Sequence, residues 1–447
     1  MNENRWYKTD NVAKVFLATY NARDTRCMRL SCTLNEEIDE EKLQEALDRT
    51  IAIRPQFQVR IRRGFFWHYV EETQYQPKVV KETGRPCPLL YGKYYGGVLH
   101  YRVSYFDCRI NLDIFHALSD GTGAMEFLNV LVWQYIRLSH PEDSVLDELK
   151  IGSGASEADL NQNSFSQFYS RGKDIKNAND KEKTRDTATA VNEDDENTGK
   201  KGKNDKFHLH SYHYNGVRLP YDQLQFLEVS MNAADILPKA KELGVTLGSY
   251  MGARIMLSLY KSMPYLKQRL PITASMPVNL RNFYNSETSR NFFNSVTISH
   301  KFDGSETLEE LAKEYDRKLK ESITPEAVRK KMQGFQKLER IFFVRMVPLF
   351  LKQPILRYVS KAENENVSFV LSNMGIMRPD KELQKYISGY SAFCSHEEIF
   401  MTCFSYNGIF KLGISHCYQD TAFLKDLVRD LTNDGIEVTV NATEVIR

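Results

Sequence analysis

The chain has 447 residues, enough for two or three domains or one large two-lobed unit with sizeable cores. Its 60 Lys and Arg nearly balance 58 Asp and Glu, so no global field argues for nucleic acid or an acidic polymer as partner. Seven cysteines (Cys27, Cys32, Cys87, Cys108, Cys394, Cys403 and Cys417) lack C-x-x-C pairs or metal-ligand spacing, which points to a reducing compartment and no metal site.

The stretch Met1–Trp6 has no apolar signal core, and no uninterrupted apolar run is long enough to cross a bilayer, so a cytoplasmic protein is expected. Residues 27–34 alternate, with Met28, Leu30, Cys32 and Leu34 on one face, and predict a half-buried strand. A helix follows from about Asp39, its candidate N-cap, to Ile53, where Arg54-Pro55 ends it. Gln56–Arg62 and Phe65–Val70 read as a hairpin turning at Arg63-Gly64. A second pair, Val98–Ser104 and Cys108–Phe115, turns near Asp107 and ends at His116. From Gly123, Met125, Leu128, Leu131, Val132, Tyr135 and Leu138 fall at helical spacing.

Residues 1–150 form the first lobe in this reading, 151–215 a flexible crossover linker, and 216–447 the second lobe. Within the linker, 173–206 carry almost no large apolar side chain and are expected to be a disordered, solvated tether. His208, His210 and His213 follow it; their spacing without a nearby cysteine reads as a polar segment rather than a metal site.

The second lobe starts with a strand at Phe226–Met231, a helix near Ala233–Leu243 stopped by Gly244, and an apolar helix, Leu247–Lys261, whose Gly248 and Gly252 suggest close packing. Strands are expected at Ile272–Met276 and Ser295–His300, and helices between Thr307 and Lys337. The apolar segment 341–359, broken by Pro348 and Pro354, reads as a buried or groove-lining helical pair, with attachment to a membrane surface as the alternative. Strands return at Val367–Leu371, Phe400–Ser405 and Phe410–His416, before a last helix at about Ala422–Leu431.

The two halves echo each other. Strand, turn, strand, histidine and amphipathic helix recur around His116-Ala117-Leu118-Ser119-Asp120-Gly121 and around His416-Cys417-Tyr418-Gln419-Asp420, which predicts two lobes of similar topology. A histidine leaving a strand can present one ring nitrogen and serve as a general base, and Gly121 lets the chain turn sharply into the next helix. Thr421 stands where the first copy has Gly121, so His416 is read as structural. Taken alone, a histidine followed by an aspartate is common and proves nothing.

The pattern His116, Asp120, Gly121 at a strand-to-helix junction resembles the acyltransferase superfamily typified by chloramphenicol acetyltransferase. That group includes plant BAHD acyltransferases, peptide-synthetase condensation domains, wax ester synthases, polyketide-associated acyltransferases and standalone bacterial alcohol acetyltransferases. Met276-Pro277-Val278-Asn279-Leu280-Arg281, Asn291-Phe292-Phe293-Asn294 and Ser372-Asn373-Met374-Gly375 support the resemblance.

It implies two mixed α/β lobes, each a mixed sheet packed with helices, flanking a channel. An acyl-CoA or acyl-carrier thioester would enter as co-substrate, with no bound cofactor, and a hydroxyl or amine acceptor would enter from the other side. It also implies His116 as general base, Asp120 in a structural ion pair with Arg281, and Gly121 keeping the channel open. Ser372 and Asn373 are the oxyanion candidates, with a strand-capping turn as the equal alternative; a solvated loop arginine is the alternative for Arg281. Phe115 stands where condensation domains usually have a second histidine, which disfavours peptide condensation, and no counterpart of the plant D-F-G-W-G motif is present. A catalytically inactive relative acting as a carrier-protein-binding or scaffolding module is the competing reading.

Overall fold

The computed structural model describes residues 5–93, 95, 97–152, 154–168, 210–340 and 346–442. Along the chain its strands are β1 (Trp6–Lys8), β2 (Cys27–Leu34), β3 (Val59–Arg63), β4 (His68–Glu72), β5 (Val80–Lys81), β6 (Tyr101–Phe106), β7 (Arg109–Phe115), β8 (Gln225–Asn232), β9 (Ile272–Asn279), β10 (Phe293–His300), β11 (Phe369–Ile376), β12 (Ile387–Cys394), β13 (Ile399–Tyr406), β14 (Ile409–His416) and β15 (Val438–Ala442). They form a five-stranded sheet in the order β12-β2-β7-β6-β5, a seven-stranded sheet in the order β10-β9-β11-β13-β14-β8-β15, and a small antiparallel sheet, β1-β4-β3. Both large sheets are mixed: β5 runs parallel to β6, and β11 runs parallel to β9 and β13.

The helices Glu40–Ile53 and Gly121–Ser139 pack together beside the five-stranded sheet. The first starts where the Asp39 carboxylate accepts the Lys42 N–H, and it buries Leu43, Ala46, Leu47 and Ile51. Each such leucine contributes roughly 1.5–3 kcal/mol by leaving water. In the other lobe, Leu247–Lys261 crosses Leu308–Ser322 so closely that a Cβ at Gly252 would strike the Tyr315 ring, the close packing expected of that glycine.

Strand β2 is not half-buried. It lies between β12 and β7, and only Thr33 of its eight residues is other than buried. Its polar face is covered because it is paired: Arg29 donates to both oxygens of Asp113 at 2.8 and 2.7 Å, and Ser31 donates to Asn111 at 2.7 Å.

Strand β12, within the second half of the sequence, pairs antiparallel with β2 of the first. It passes β14 so closely that a Cβ at Gly413 would overlap the Ala392 carbonyl. The second half of the chain therefore lends one strand to the sheet of the first. Part of the segment read as linker is packed: Phe165 and Phe168 are buried against Leu280 and Phe292. The tether proper, 173–206, lies outside the described residues.

The segment 341–359 also differs from expectation. Residues 341–345 lie outside the described residues, and the helix Leu349–Asn364 continues through Pro354. Only one side of it is buried: Leu349, Lys352 and Ser360 face inward, while Phe350, Leu351, Ile355, Tyr358 and Val359 are exposed. Among the described residues, no helix is long and apolar enough to cross a membrane.

Candidate active site

Strand β7 buries Ile110, Leu112, Ile114 and Phe115 and hands the chain to His116, whose N–H donates to the Arg26 carbonyl at 2.8 Å. The His116 ring is half-buried between Phe16 and Phe293, with ring centroids at 4.6 and 5.5 Å. Its Nδ1 lies 3.1 Å from Asn291 Oδ1, while Asn291 Nδ2 donates to the His116 carbonyl at 2.9 Å. One buried amide thus grips both ring and backbone. An Oδ1 acceptor assigns the proton to Nδ1 and leaves the lone pair on Nε2, the state a general base needs. Burial holds the His116 pKa below its ordinary value, opposed by the Asp120 charge and the Asn291 hydrogen bond, so the ring is neutral at pH 7.

Asp120 is the N-cap of Gly121–Ser139: Oδ1 accepts the Gly123 N–H at 3.1 Å. Its Oδ2 accepts from the Arg281 guanidinium at 2.7 Å and from the Phe292 N–H at 2.8 Å. Arg281 also donates to the Thr288 and Arg290 carbonyls, each at 2.7 Å. This pair closes the loop that carries Asn291 over the start of the helix, so the ion pair and the His116 clamp share one scaffold.

A cavity of about 1380 Å³ is lined by His116, Asp120 and Gly121. It exceeds the roughly 300–1,000 Å³ of a pocket for one drug-sized ligand and has room for two substrates. One wall is hydroxyl-rich, with Thr273 and Ser275 on β9 facing Ser299 and Thr297 on β10; another is apolar, with Met28, Leu30 and Met374. Ser372 and Asn373 line the same cavity. They lie inside β11, beside a bulge, rather than in a loop after a strand. Asn373 Oδ1 accepts the Gly375 N–H at 2.9 Å, and a Cβ at Gly248 would sit 3.0 Å from Asn373 Nδ2. Arg281 stands behind the wall and does not line it.

The chain turns from β7 into the helix over residues 116–120, and Gly121 itself opens the helix. Its φ is not positive, and a Cβ there would meet only Met374 Cε, at an ordinary 3.7 Å. The constrained glycine is Gly123, where a Cβ would clash with the Ser289 carbonyl and the Ser119 hydroxyl. His416 is fully buried and off the cavity; its Nδ1 accepts the Tyr418 N–H at 3.2 Å, and burial pushes its pKa down to about 4.

Among the described residues, Cys27, Cys87 and Asp113 bring their ligand atoms within 4.8 Å of one another. Asp113 already accepts from Arg29, Arg102 and the Cys87 N–H, so two guanidinium charges stand where a cation would have to bind.

Two contributors to the site were missed in the sequence. The helix Asn11–Thr19, capped by Asp10 through the Ala13 N–H at 2.7 Å, supplies Phe16 and was readable from Ala13, Phe16 and Leu17 at helical spacing. Asn291 was seen only as part of a motif. Nothing in the order of residues links it to a histidine 175 positions away.

No family model matches the sequence, and no curated protein matches it. Solved structures do match, at low identity. Polyketide synthase associated protein 5 from Mycobacterium tuberculosis is 13% identical with a TM-score of 0.59, covering 95% of this chain and 96% of its own. Trichothecene 15-O-acetyltransferase from Fusarium sporotrichioides is 11% identical with a TM-score of 0.58, covering 97% and 95%. TRI101 from F. sporotrichioides, complexed with coenzyme A and T-2, is 10% identical with a TM-score of 0.56, covering 97% and 99%. The chain has the two-lobed chloramphenicol acetyltransferase-like fold, shared by acetyltransferases and condensation domains.

Proposed function

We propose that the chain is an acyltransferase that moves an acyl group from a thioester, acyl-CoA or acyl-carrier, to a hydroxyl or amine. The observation that carries this reading is a histidine tied through Nδ1 to Asn291 on the wall of a cavity large enough for two substrates. His116 Nε2 takes the proton from the acceptor O–H or N–H as that atom bonds to the thioester carbonyl carbon. The tetrahedral intermediate collapses, the C–S bond breaks, and the same proton passes to the departing sulfur as the thiol leaves. Ser372 and Asn373 serve as candidate donors to the oxyanion, and Asp120 with Arg281 positions the loop without touching substrate. A neighbour complexed with coenzyme A supports acyl-CoA as the donor to try first.

The test is free-thiol release from a panel of acyl-CoAs with pooled alcohols and amines. Release that depends on an acceptor supports transfer. Tight retention of an acyl-carrier protein with no turnover for any pair would favour the scaffolding reading instead.

A further inference from the structure

The helix Leu349–Asn364 is amphipathic in the inverse sense. Its inner side, with Leu349, Lys352 and Ser360 buried, packs toward the helix Asn11–Thr19 and the β3–β4 turn. Its outer side carries Phe350, Leu351, Ile355, Tyr358 and Val359, between 47% and 75% exposed. At about 100° per residue these five cover about half the circumference.

The β3–β4 turn extends the surface. The Leu349 N–H donates to the Phe65 carbonyl at 2.8 Å, the Lys352 ammonium to the Phe66 carbonyl at 3.2 Å, and the same ammonium stands 3.7 Å from the centre of the Trp67 ring. Phe65 is 67% exposed, and Phe66 lies edge-on to it. An apolar, aromatic patch of this extent is unusual on a surface that meets only water.

Charge selects its partner. Residues 60–69 and the helix Leu349–Asn364 carry Arg60, Arg62, Arg63, Lys352, Arg357 and Lys361 against one acid, Glu363; with Lys352 buried and Arg60 and Arg62 paired with Glu71, the exposed rim is formed by Arg63, Arg357 and Lys361. A second copy docking face to face would set this cationic rim against itself. An anionic bilayer offers headgroups to the rim and acyl chains to the aromatic face.

We propose that this face docks on an anionic lipid surface with the helix lying in the membrane plane. Phe16 and Asn364 of the two packed helices also line the cavity, so docking brings that part of its wall close to the lipid.

The experiment is flotation of the full chain with vesicles of phosphatidylcholine alone or with about 30 mol% phosphatidylglycerol. The wild type is expected to float with the anionic vesicles. Phe350→Glu combined with Ile355→Glu is expected to lower the bound fraction at least about tenfold while circular dichroism and gel-filtration elution stay unchanged. Failure of the wild type to float, or equal flotation of the folded double variant, overturns the proposal. So does a wild-type dimer in sedimentation velocity that the double variant converts to monomer without any vesicle binding, which would assign the face to a second copy.

Discussion

Replacing Arg281 with Met tests how the candidate site is held. Asp120 and Arg281 expose only 6% and 12% of their side chains, so water screens their 2.7 Å contact weakly. Arg281→Met strands a buried carboxylate with the Phe292 N–H on Oδ2 and the helix cap on Oδ1, and it deprives the Thr288 and Arg290 carbonyls of their donor. Breaking a buried pair from one side costs about 3–5 kcal/mol. Asp120→Asn is expected to destabilise as well, because its amide nitrogen would face either Arg281 and the Phe292 N–H or the Gly123 N–H, donor against donor.

In the double variant the uncompensated charge is gone, so the two losses overlap by about 2 kcal/mol or more. Urea unfolding followed through Trp6, Trp67 and Trp133 reads the cycle. Thiol release measured on the same proteins is expected to fall in both single variants, because the loop carrying Asn291 loosens. Additivity within about 0.5 kcal/mol, or an Arg281→Met protein within about 1 kcal/mol of wild type, would show that Asp120 and Arg281 do not depend on each other.

Asn291→Ala is expected to lower kcat about 10–100-fold with little change in KM, since His116 loses the group that orients it. In the wild type kcat/KM is expected to rise with pH through a limb centred below 6.5 and to level near neutrality, because burial lowers the His116 pKa and the neutral ring is the base; a limb centred above 7 would contradict this. Burial pushes Asp10 up to about 6, so the folded chain holds a proton that the unfolded chain has released above its ordinary 3.8. That contribution to stability is full at low pH and is lost as pH rises through about 6. Asp10→Asn can keep the cap on Ala13 but turns its amide nitrogen toward the Asn291 Nδ2 donor, a cost independent of pH; its stability relative to wild type is therefore expected to rise from pH 4 to pH 7 by at most about 3 kcal/mol in urea titrations at the two pH values. Gly123→Ala is expected to destabilise by clashing with the Ser289 carbonyl, whereas Gly121→Ala folds with wild-type stability; equal thermal midpoints for the two variants would contradict the crowding seen at Gly123.

The parts of the fold that were legible rest on local patterns. Asp39 before a helical stripe, and the Cys108–Phe115 segment running into a glycine-containing helix start, mark their elements through chemistry that acts over a few residues. Strand β12 was missed because Ser388, Gly389 and Ser391 dilute its apolar alternation; the partner that makes it a strand, β2, lies more than 350 residues earlier in the chain. The polar face of β2 misled for a related reason: Arg29 reads as exposed until Asp113 is placed beside it.

In the site, Arg281 could be matched to Asp120 through the resemblance, and the structure sets them 2.7 Å apart. Asn291 could not be found that way, because an asparagine that fixes a ring by one amide has no signature in residue order. Gly121 and Gly123 show the same limit: two glycines two residues apart are indistinguishable in sequence, and only the Ser289 carbonyl makes one of them obligatory. The exposed face of Leu349–Asn364 was ambiguous because periodicity identifies an apolar stripe but not whether protein or lipid covers it.

Whether His116 removes the acceptor's proton is read from acceptor-dependent thiol release by His116→Ala beside the wild type at pH 7.5. The variant is expected to lose about 10²–10⁴-fold in kcat with its fold intact by circular dichroism. A folded His116→Ala protein that turns over within about threefold of wild type would contradict it.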